Sequence, residues 1–262
     1  MVFKDEVVIV TGSTKGIGRS IAIQLAKLGA AVVINARNEE DVKKVVQEII
    51  SFGGRATGAA GKVEDIETGR KLVKAAHDCF GRITVVVNNA GIIRDRLFIK
   101  MTENEWDDVI SCHLRGAFCT TSAVVPYMIE HGIKGTILNM TSTAGLEGTV
   151  GQSNYSAAKS GILGLTWTLS KELKKAGIGV FAIAPAALTD MTRPYIEKAE
   201  ERARVRMEPL PDYWKIGSTE DVAAFIARLL EKREQLESGQ IFSVNGKKIG
   251  KWNPPTYEEI TF

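Results

Sequence analysis

Short runs of β-branched and other apolar residues recur along the chain at Val7–Thr11, Ala31–Ala36, Ala56–Val63, Thr84–Asn88, Thr136–Met140, Val180–Ala184 and Gln240–Val244. Most are apolar at successive positions rather than at every second one, so they need cover on both faces, as parallel strands inside a sheet do. Longer segments of helical periodicity separate them. Thr102-Glu103-Asn104-Glu105 has the form of a capping box and opens a long amphipathic helix to about Glu130. Strands alternating with helices through right-handed crossovers predict an α/β fold, a doubly wound parallel sheet of about seven strands with helices on both faces. From Ala186 to Gly217 the pattern lapses into a polar stretch containing Pro194, Pro209 and Pro211, read as a substrate lid (186–217) within one domain (1–262). The tail Gly246–Phe262, with Pro254 and Pro255, is expected to cross the surface or a subunit boundary.

Composition adds mainly exclusions. The 34 basic and 31 acidic residues are scattered and sum to +3, so no basic stripe marks the chain for nucleic acid or a lipid surface. No apolar stretch approaches the ~20 residues of a membrane span, and Met1 to Asp5 carries no basic-then-apolar leader. A cytoplasmic protein is expected. Cys79, Cys112 and Cys119 include no close pair of the kind that binds metal, so no metal site is expected. Cys112 and Cys119 fall within the long helix and read as small apolar packing residues.

The first strand ends in Thr11-Gly12-Ser13-Thr14-Lys15-Gly16-Ile17-Gly18, with a helix expected from Arg19 to Leu28. Glycines there let backbone approach a pyrophosphate, and the helix turns unsatisfied N–H groups toward it. Gly12, Ser13, Thr14, Lys15, Gly16, Ile17 and Gly18 are therefore candidate cofactor-binding residues, although the spacing is GxxxGxG rather than GxGxxG. A carboxylate ending the second strand would hold the ribose hydroxyls of NAD and repel a 2′-phosphate. The chain has Asn35-Ala36-Arg37 instead, and Arg37 with Lys15 would give that phosphate two cations, so the expected cofactor is NADP(H).

Three ordered motifs, the TGxxxGIG loop, Asn88-Asn89-Ala90-Gly91 and Tyr155-Ser156-Ala157-Ala158-Lys159, make the chain from Val2 to about Gly250 resemble the classical short-chain dehydrogenase/reductase family. The resemblance implies a Rossmann-like fold. It also implies Tyr155 as proton carrier, Lys159 beside it, and Ser142, thirteen residues earlier, polarising the substrate oxygen. Asn38, Val63, Asn89, Ala90, Gly91 and Pro185 would join Tyr155 and Lys159 along the cofactor. A homotetramer is implied too, with helices Thr102–Glu130 and Ser153–Lys175 pairing across subunits. The chemistry agrees: a phenol of pKa about 10 needs a neighbouring cation to shuttle protons near neutrality, and Lys159 shares a helix face with Tyr155 at i+4. A tyrosine anchor with a snorkelling lysine is the structural alternative for that pair.

At the fourth catalytic position, where the family usually has asparagine, the chain has His113. Its ring could hold a relay water or fill the helix interior. Cys112-His113-Leu114-Arg115-Gly116, Ile93-Arg94-Asp95-Arg96 and the ending Gly246 to Trp252 are similar to the 3-hydroxyacyl-CoA dehydrogenase part of the peroxisomal multifunctional enzyme type 2. That branch prefers NAD, and Ala36-Arg37 breaks the likeness at the cofactor. The combination resembles a 3-oxoacyl-thioester reductase working on a CoA or acyl-carrier-protein substrate, with Arg94 and Arg96 either meeting carrier phosphates or simply solvated. Two alternatives stand beside it. One is a reductase of another ketone, diketone or sugar, accepted under lid aromatics Tyr195, Tyr213 and Trp214; the other is a catalytically silent cofactor-binding partner.

Overall fold

The structure is a computed structural model describing residues 2–260; Met1, Thr261, Phe262 and the side chain of Tyr213 lie outside the described residues. In chain order it comprises β1 (Val7–Val10), α1 (Gly16–Lys27), β2 (Ala31–Ala36), α2 (Glu39–Ser51), β3 (Arg55–Ala60), α3 (Ile66–Phe80) and β4 (Val85–Asn88). Then come α4 (Glu103–Ile110), α5 (Gly116–Glu130), β5 (Thr136–Met140), α6 (Thr143–Glu147), α7 (Ser153–Glu172) and β6 (Gly179–Ala186). The chain closes with α8 (Arg193–Arg206), α9 (Thr219–Lys232), β7 (Ile241–Asn245) and β8 (Lys248–Trp252).

One sheet has the order β3-β2-β1-β4-β5-β6-β7-β8. Its pairs are parallel as far as β7, as the buried apolar runs require. Alternate side chains leave opposite faces. Val8, Val10, Val32 and Ile34 pack on Ile21 and Leu25 of α1, Val45 and Ile49 of α2, and Ile226 of α9. Val7, Ile9 and Val33 pack on Leu72 of α3 and Val124 and Met128 of α5. Each such side chain is worth roughly 1.5–3 kcal/mol when fully buried, so continuous apolar strands hold a helix layer on both faces. After β3 the chain crosses back to place β4 beside β1, and the strand order reverses there. Ligands bind outside the carboxyl ends of the strands at such a switch point.

Three expectations need correcting. An eighth strand lies in the predicted tail: β8 pairs antiparallel with β7, with Asn245 opposite Lys248 across the two-residue turn Gly246-Lys247. Glycine at the first of two loop positions suits such a hairpin and Gly246 takes φ +56° there, but Lys248-Ile249-Gly250-Lys251 is exposed and mixed in polarity, so periodicity misses it. The lid is more regular than its polarity implies. It contains the fourteen-residue α8, with Pro194 in the first turn where a missing N–H costs nothing. The long helix after Thr102 is broken by a π-turn at Ser111–Arg115 between α4 and α5, while its capping box forms as expected.

Candidate active site

The loop leaving β1 is shaped by contacts no larger residue could make. Gly12 has φ +60°, and a Cβ on it would lie 2.8 Å from the Ala90 Cα; a Cβ on Gly18 would lie 2.4 Å from both Gly12 O and Asn89 Nδ2. Asn89 stitches the loop from the β4 side, its amide donating to Thr11 O at 2.9 Å and Gly12 O at 3.1 Å. Thr11 Oγ1 accepts from the N–H groups of Asn89 and Ala90 at 2.9 and 3.1 Å. The helix start is also earlier than expected, at Gly16 rather than Arg19. No side chain caps α1, and no acidic residue occupies its first turn. Its free N–H groups and positive dipole end face a cleft of about 510 Å³ lined by Gly12, Thr14, Lys15, Gly16, Ile17 and Gly18. An uncapped helix end under a glycine cradle fits a dinucleotide pyrophosphate.

Ser13 is the exception within the loop. Its hydroxyl is fully buried, donating to Val10 O at 2.7 Å and accepting from Asn35 N at 3.0 Å, so it braces the fold and does not line the cleft. Its partner Asn35 also donates to Ala59 O and Gly61 O at 3.1 and 3.3 Å, tying β1, β2 and β3 together where they open onto the cleft. Sequence reasoning passed over Asn35, although a buried asparagine ending an apolar strand is itself a signal. Ala36, Arg37 and Asn38 follow it along the cleft, joined by Val63, Asn89, Ala90, Gly91 and Pro185. Asn38 also caps α2 by accepting from Asp41 N at 3.0 Å. Arg37, Lys15 and the unanticipated Lys62 line this end, and none makes an ion pair among the described residues.

At the other end, β5 runs out through Met140 and Thr141 to Ser142, whose side chain accepts from Ala144 N at 3.2 Å and caps α6. Tyr155 and Lys159 stand one turn apart on α7 and both line the cleft. The buried Lys159 ammonium donates to Met140 O at 2.6 Å and lies 5.6 Å from the Tyr155 ring centroid. Burial lowers its pKa to about 8. The phenol differs from expectation. Burial pushes its pKa up, the hydrogen bond with Ser142 opposes that, and the Asp95 carboxylate adds to it. The Lys159 ammonium donates to Met140 O and lies against the ring of Tyr155. In the free protein Tyr155 is a protonated donor.

His113 sits within the π-turn, its ring edge-on to that of Tyr155 at 5.1 Å between centroids. Nε2 lies 2.8 Å from Ile92 O and 3.1 Å from Ile92 N, and the ring fills the space where a Cβ on Gly91 would fall, 2.3 Å from Cε1. Burial, with the charge of Lys159, lowers its pKa to about 3. His113 is therefore neutral and packs as a strut between Gly91-Ile92 and Tyr155; Nδ1 is buried and without a hydrogen-bond partner among the described residues. Cys119 is buried as expected, but Cys112 lines the cleft, its thiol pushed up to about 11 by burial. Arg94 and Arg96 are engaged by Asp108 at 3.4 Å and Glu105 at 2.7 Å. Among the described residues no His, Cys, Asp and Glu group could hold a metal ion, and no helix is long and apolar enough to cross a membrane.

A phosphate cradle at a strand-order reversal, with tyrosine and lysine in the same cleft and the serine hydrogen-bonded to that tyrosine, is matched by comparison with known proteins. Residues 6–200 fit the family model described as short chain dehydrogenase. The chain belongs to the short chain dehydrogenase family. As a short chain dehydrogenase it is an oxidoreductase of the alcohol–carbonyl couple. It is 37% identical over 247 residues to the 3-oxoacyl-(acyl-carrier-protein) reductase of Thermotoga maritima, covering 94% of this chain and 98% of that one. The Synechocystis enzyme of the same name is 40% identical, covering 93% and 97%. A crystal structure of a short chain dehydrogenase from Mycobacterium avium superposes with TM-score 0.85 at 33% identity, covering all of this chain and 89% of that one.

Proposed function

We propose that the protein reduces a 3-oxoacyl thioester, carried on coenzyme A or an acyl carrier protein, to the 3-hydroxyacyl form with NADPH. The observation that carries this reading is the Tyr155 phenol, hydrogen-bonded with Ser142, in the same cleft as the phosphate cradle. A nicotinamide dinucleotide bound there supplies hydride. Tyr155 gives its proton to the carbonyl oxygen as that oxygen gains charge, and the Ser142 hydroxyl donates a hydrogen bond to the same atom. Lys159 holds positive charge beside the phenolate that forms and steadies it. The thioester is supported by the names of relatives that match almost end to end. The three cysteines are free, in keeping with a reduced, cytoplasmic setting.

The deciding assay offers NADPH and NADH with acetoacetyl-CoA, longer 3-oxoacyl thioesters, cyclic ketones and sugars. Turnover confined to the thioesters supports the reading. Turnover of ketones or sugars alone moves it to another carbonyl, and a flat response revives the silent partner. Since the Lys159 ammonium is lost above a pKa of about 8, the reduction rate is expected to fall as pH rises through that value. A rate still climbing at pH 9 would separate the lysine charge from the chemistry.

Arg37, exposed at the cleft lip and without an ion pair among the described residues, is the residue we assign to the 2′-phosphate. Arg37→Asp replaces attraction by repulsion and should weaken NADPH by about tenfold to a hundredfold, leaving NADH little changed. Equal KM changes for both cofactors would place the phosphate elsewhere. We propose a homotetramer as well, since α7 turns small residues Ala157, Ser160 and Gly164 outward and the neighbouring helices expose Trp106 and Phe118. Sedimentation at four times the 28.5 kDa chain mass is expected; a monomer mass would remove the idea.

A further inference from the structure

The cleft receives one cation from the segment that follows each of three neighbouring strands: Lys15 after β1, Arg37 after β2 and Lys62 after β3. The backbone at Lys62 is held from several directions. Gly61 N donates to Ala36 O at 2.9 Å, which carries the parallel pairing of β2 and β3 one residue past the Ala36–Ala60 register. Asn35 Nδ2 donates to Gly61 O at 3.3 Å, and Lys62 O accepts from Asp65 N at 3.1 Å in the turn that leads into α3. Glycine suits position 61, where a Cβ would lie 2.3 Å from Thr68 Oγ1. Lys62 therefore leaves the sheet beside Arg37, from paired strands that run about 4.8 Å apart.

Arg37 and Lys62 are both exposed, and neither forms an ion pair among the described residues. Of the carboxylates that line the cleft, Asp41 faces Lys44 at 3.9 Å and Asp108 faces Arg94 at 3.4 Å, while Glu64 and Asp190 pair with no cation among the described residues. Two like charges held side by side on fixed strand ends repel each other, and a dianion between them relieves both. A phosphate monoester has that charge, about −1.5 to −2, and three acceptor oxygens for a guanidinium and an ammonium to share. We infer that Lys62 is a second ligand of the cofactor 2′-phosphate, which is clamped between the ends of β2 and β3 with Arg37 on one side and Lys62 on the other. The inference rests on the reading of the cofactor as NADPH and deepens it. Discrimination against NADH is then spread over two strands, so that removing the Arg37 charge alone leaves part of it in place.

Binding without turnover tests the clamp. NADPH and NADH differ only in the 2′-phosphate, and their Kd values are read by cofactor fluorescence with no carbonyl present. The parent should favour NADPH. Lys62→Met removes the charge and keeps an unbranched side chain; it should weaken NADPH about tenfold and leave NADH unchanged, while Lys62→Arg should stay within about threefold of the parent for both. With Arg37→Met added to Lys62→Met, the remaining preference for NADPH should vanish. Lys62 is exposed, so its replacement leaves the core intact. Parental NADPH affinity in Lys62→Met, or an equal loss of both cofactors, would overturn the clamp and leave the NADPH reading standing on Arg37. A parent with no preference for NADPH would overturn both. The expected ratios in a protein that reduces no thioester would keep the clamp and remove the proposed substrate.

Discussion

Tyr155→Phe is expected to lower kcat about a hundredfold to ten-thousandfold, the range spanned by a well-placed general acid. The substitution removes one oxygen and nothing else that the fold uses. The ring edge would still meet His113, and the Lys159 ammonium would keep Met140 O and its place against the ring. The backbone N–H of residue 155 would still donate to Asn154 Oδ1, which it meets at 2.7 Å. Ser142 loses a partner at the phenol but keeps its cap on Ala144 N. Thermal stability and cofactor affinity should therefore change little. Steady-state kinetics beside a cofactor titration separates the outcomes. A variant within threefold of the parent kcat would remove Tyr155 from proton transfer, and one that also lost the cofactor would make it a binding residue. The partial exposure of Tyr155 keeps the prediction about rate rather than folding.

What was legible in the sequence follows what each residue does in the fold. Parallel strands were legible because β1, β2, β4 and β5 are buried along nearly their whole length and so are mostly apolar, with Asn35, Asn88, Thr136 and Asn139 the polar exceptions. The phosphate loop was legible because its glycines answer to backbone distances that a Cβ would violate. Tyr155 and Lys159 were legible as a helical i, i+4 pair, and the structure places both in the cleft with Ser142 hydrogen-bonded to the phenol. Their electrostatics were not. How Lys159 meets the phenol depends on where its ammonium points, and that is set by Met140 O, a backbone atom at the end of β5. Asn35 and Asp95 were hidden for a similar reason, since their partners lie as far off as Gly61 and Tyr195. Strand β8 was hidden because it is an exposed edge, where polarity protects against aggregation and erases the apolar signal.

Gly18→Ala is the second large effect, and local propensity alone gives it the wrong sign. In a helix interior alanine is better than glycine by roughly 0.5–1 kcal/mol, and Gly18 lies inside α1 with ordinary helical backbone. The space around it decides otherwise. An added Cβ would lie 2.4 Å from Gly12 O and 2.4 Å from Asn89 Nδ2, and the first of these is backbone, which cannot swing aside as a side chain can. Either the loop or α1 must move, at a typical overpacking cost of about 1–3 kcal/mol. The Asn89 bonds to Thr11 O and Gly12 O, 2.9 and 3.1 Å long, would be lost or stretched at about 1 kcal/mol each. The sum outweighs the propensity gain, so net destabilisation of about 2–4 kcal/mol is expected in urea unfolding. Because the displaced loop is the one that presents the N–H groups of α1, NADPH affinity should fall about tenfold or more while Tyr155 and Lys159 stay in place. Unfolding at the parental midpoint with parental affinity would show that Gly18 is not the point at which loop and helix close on each other.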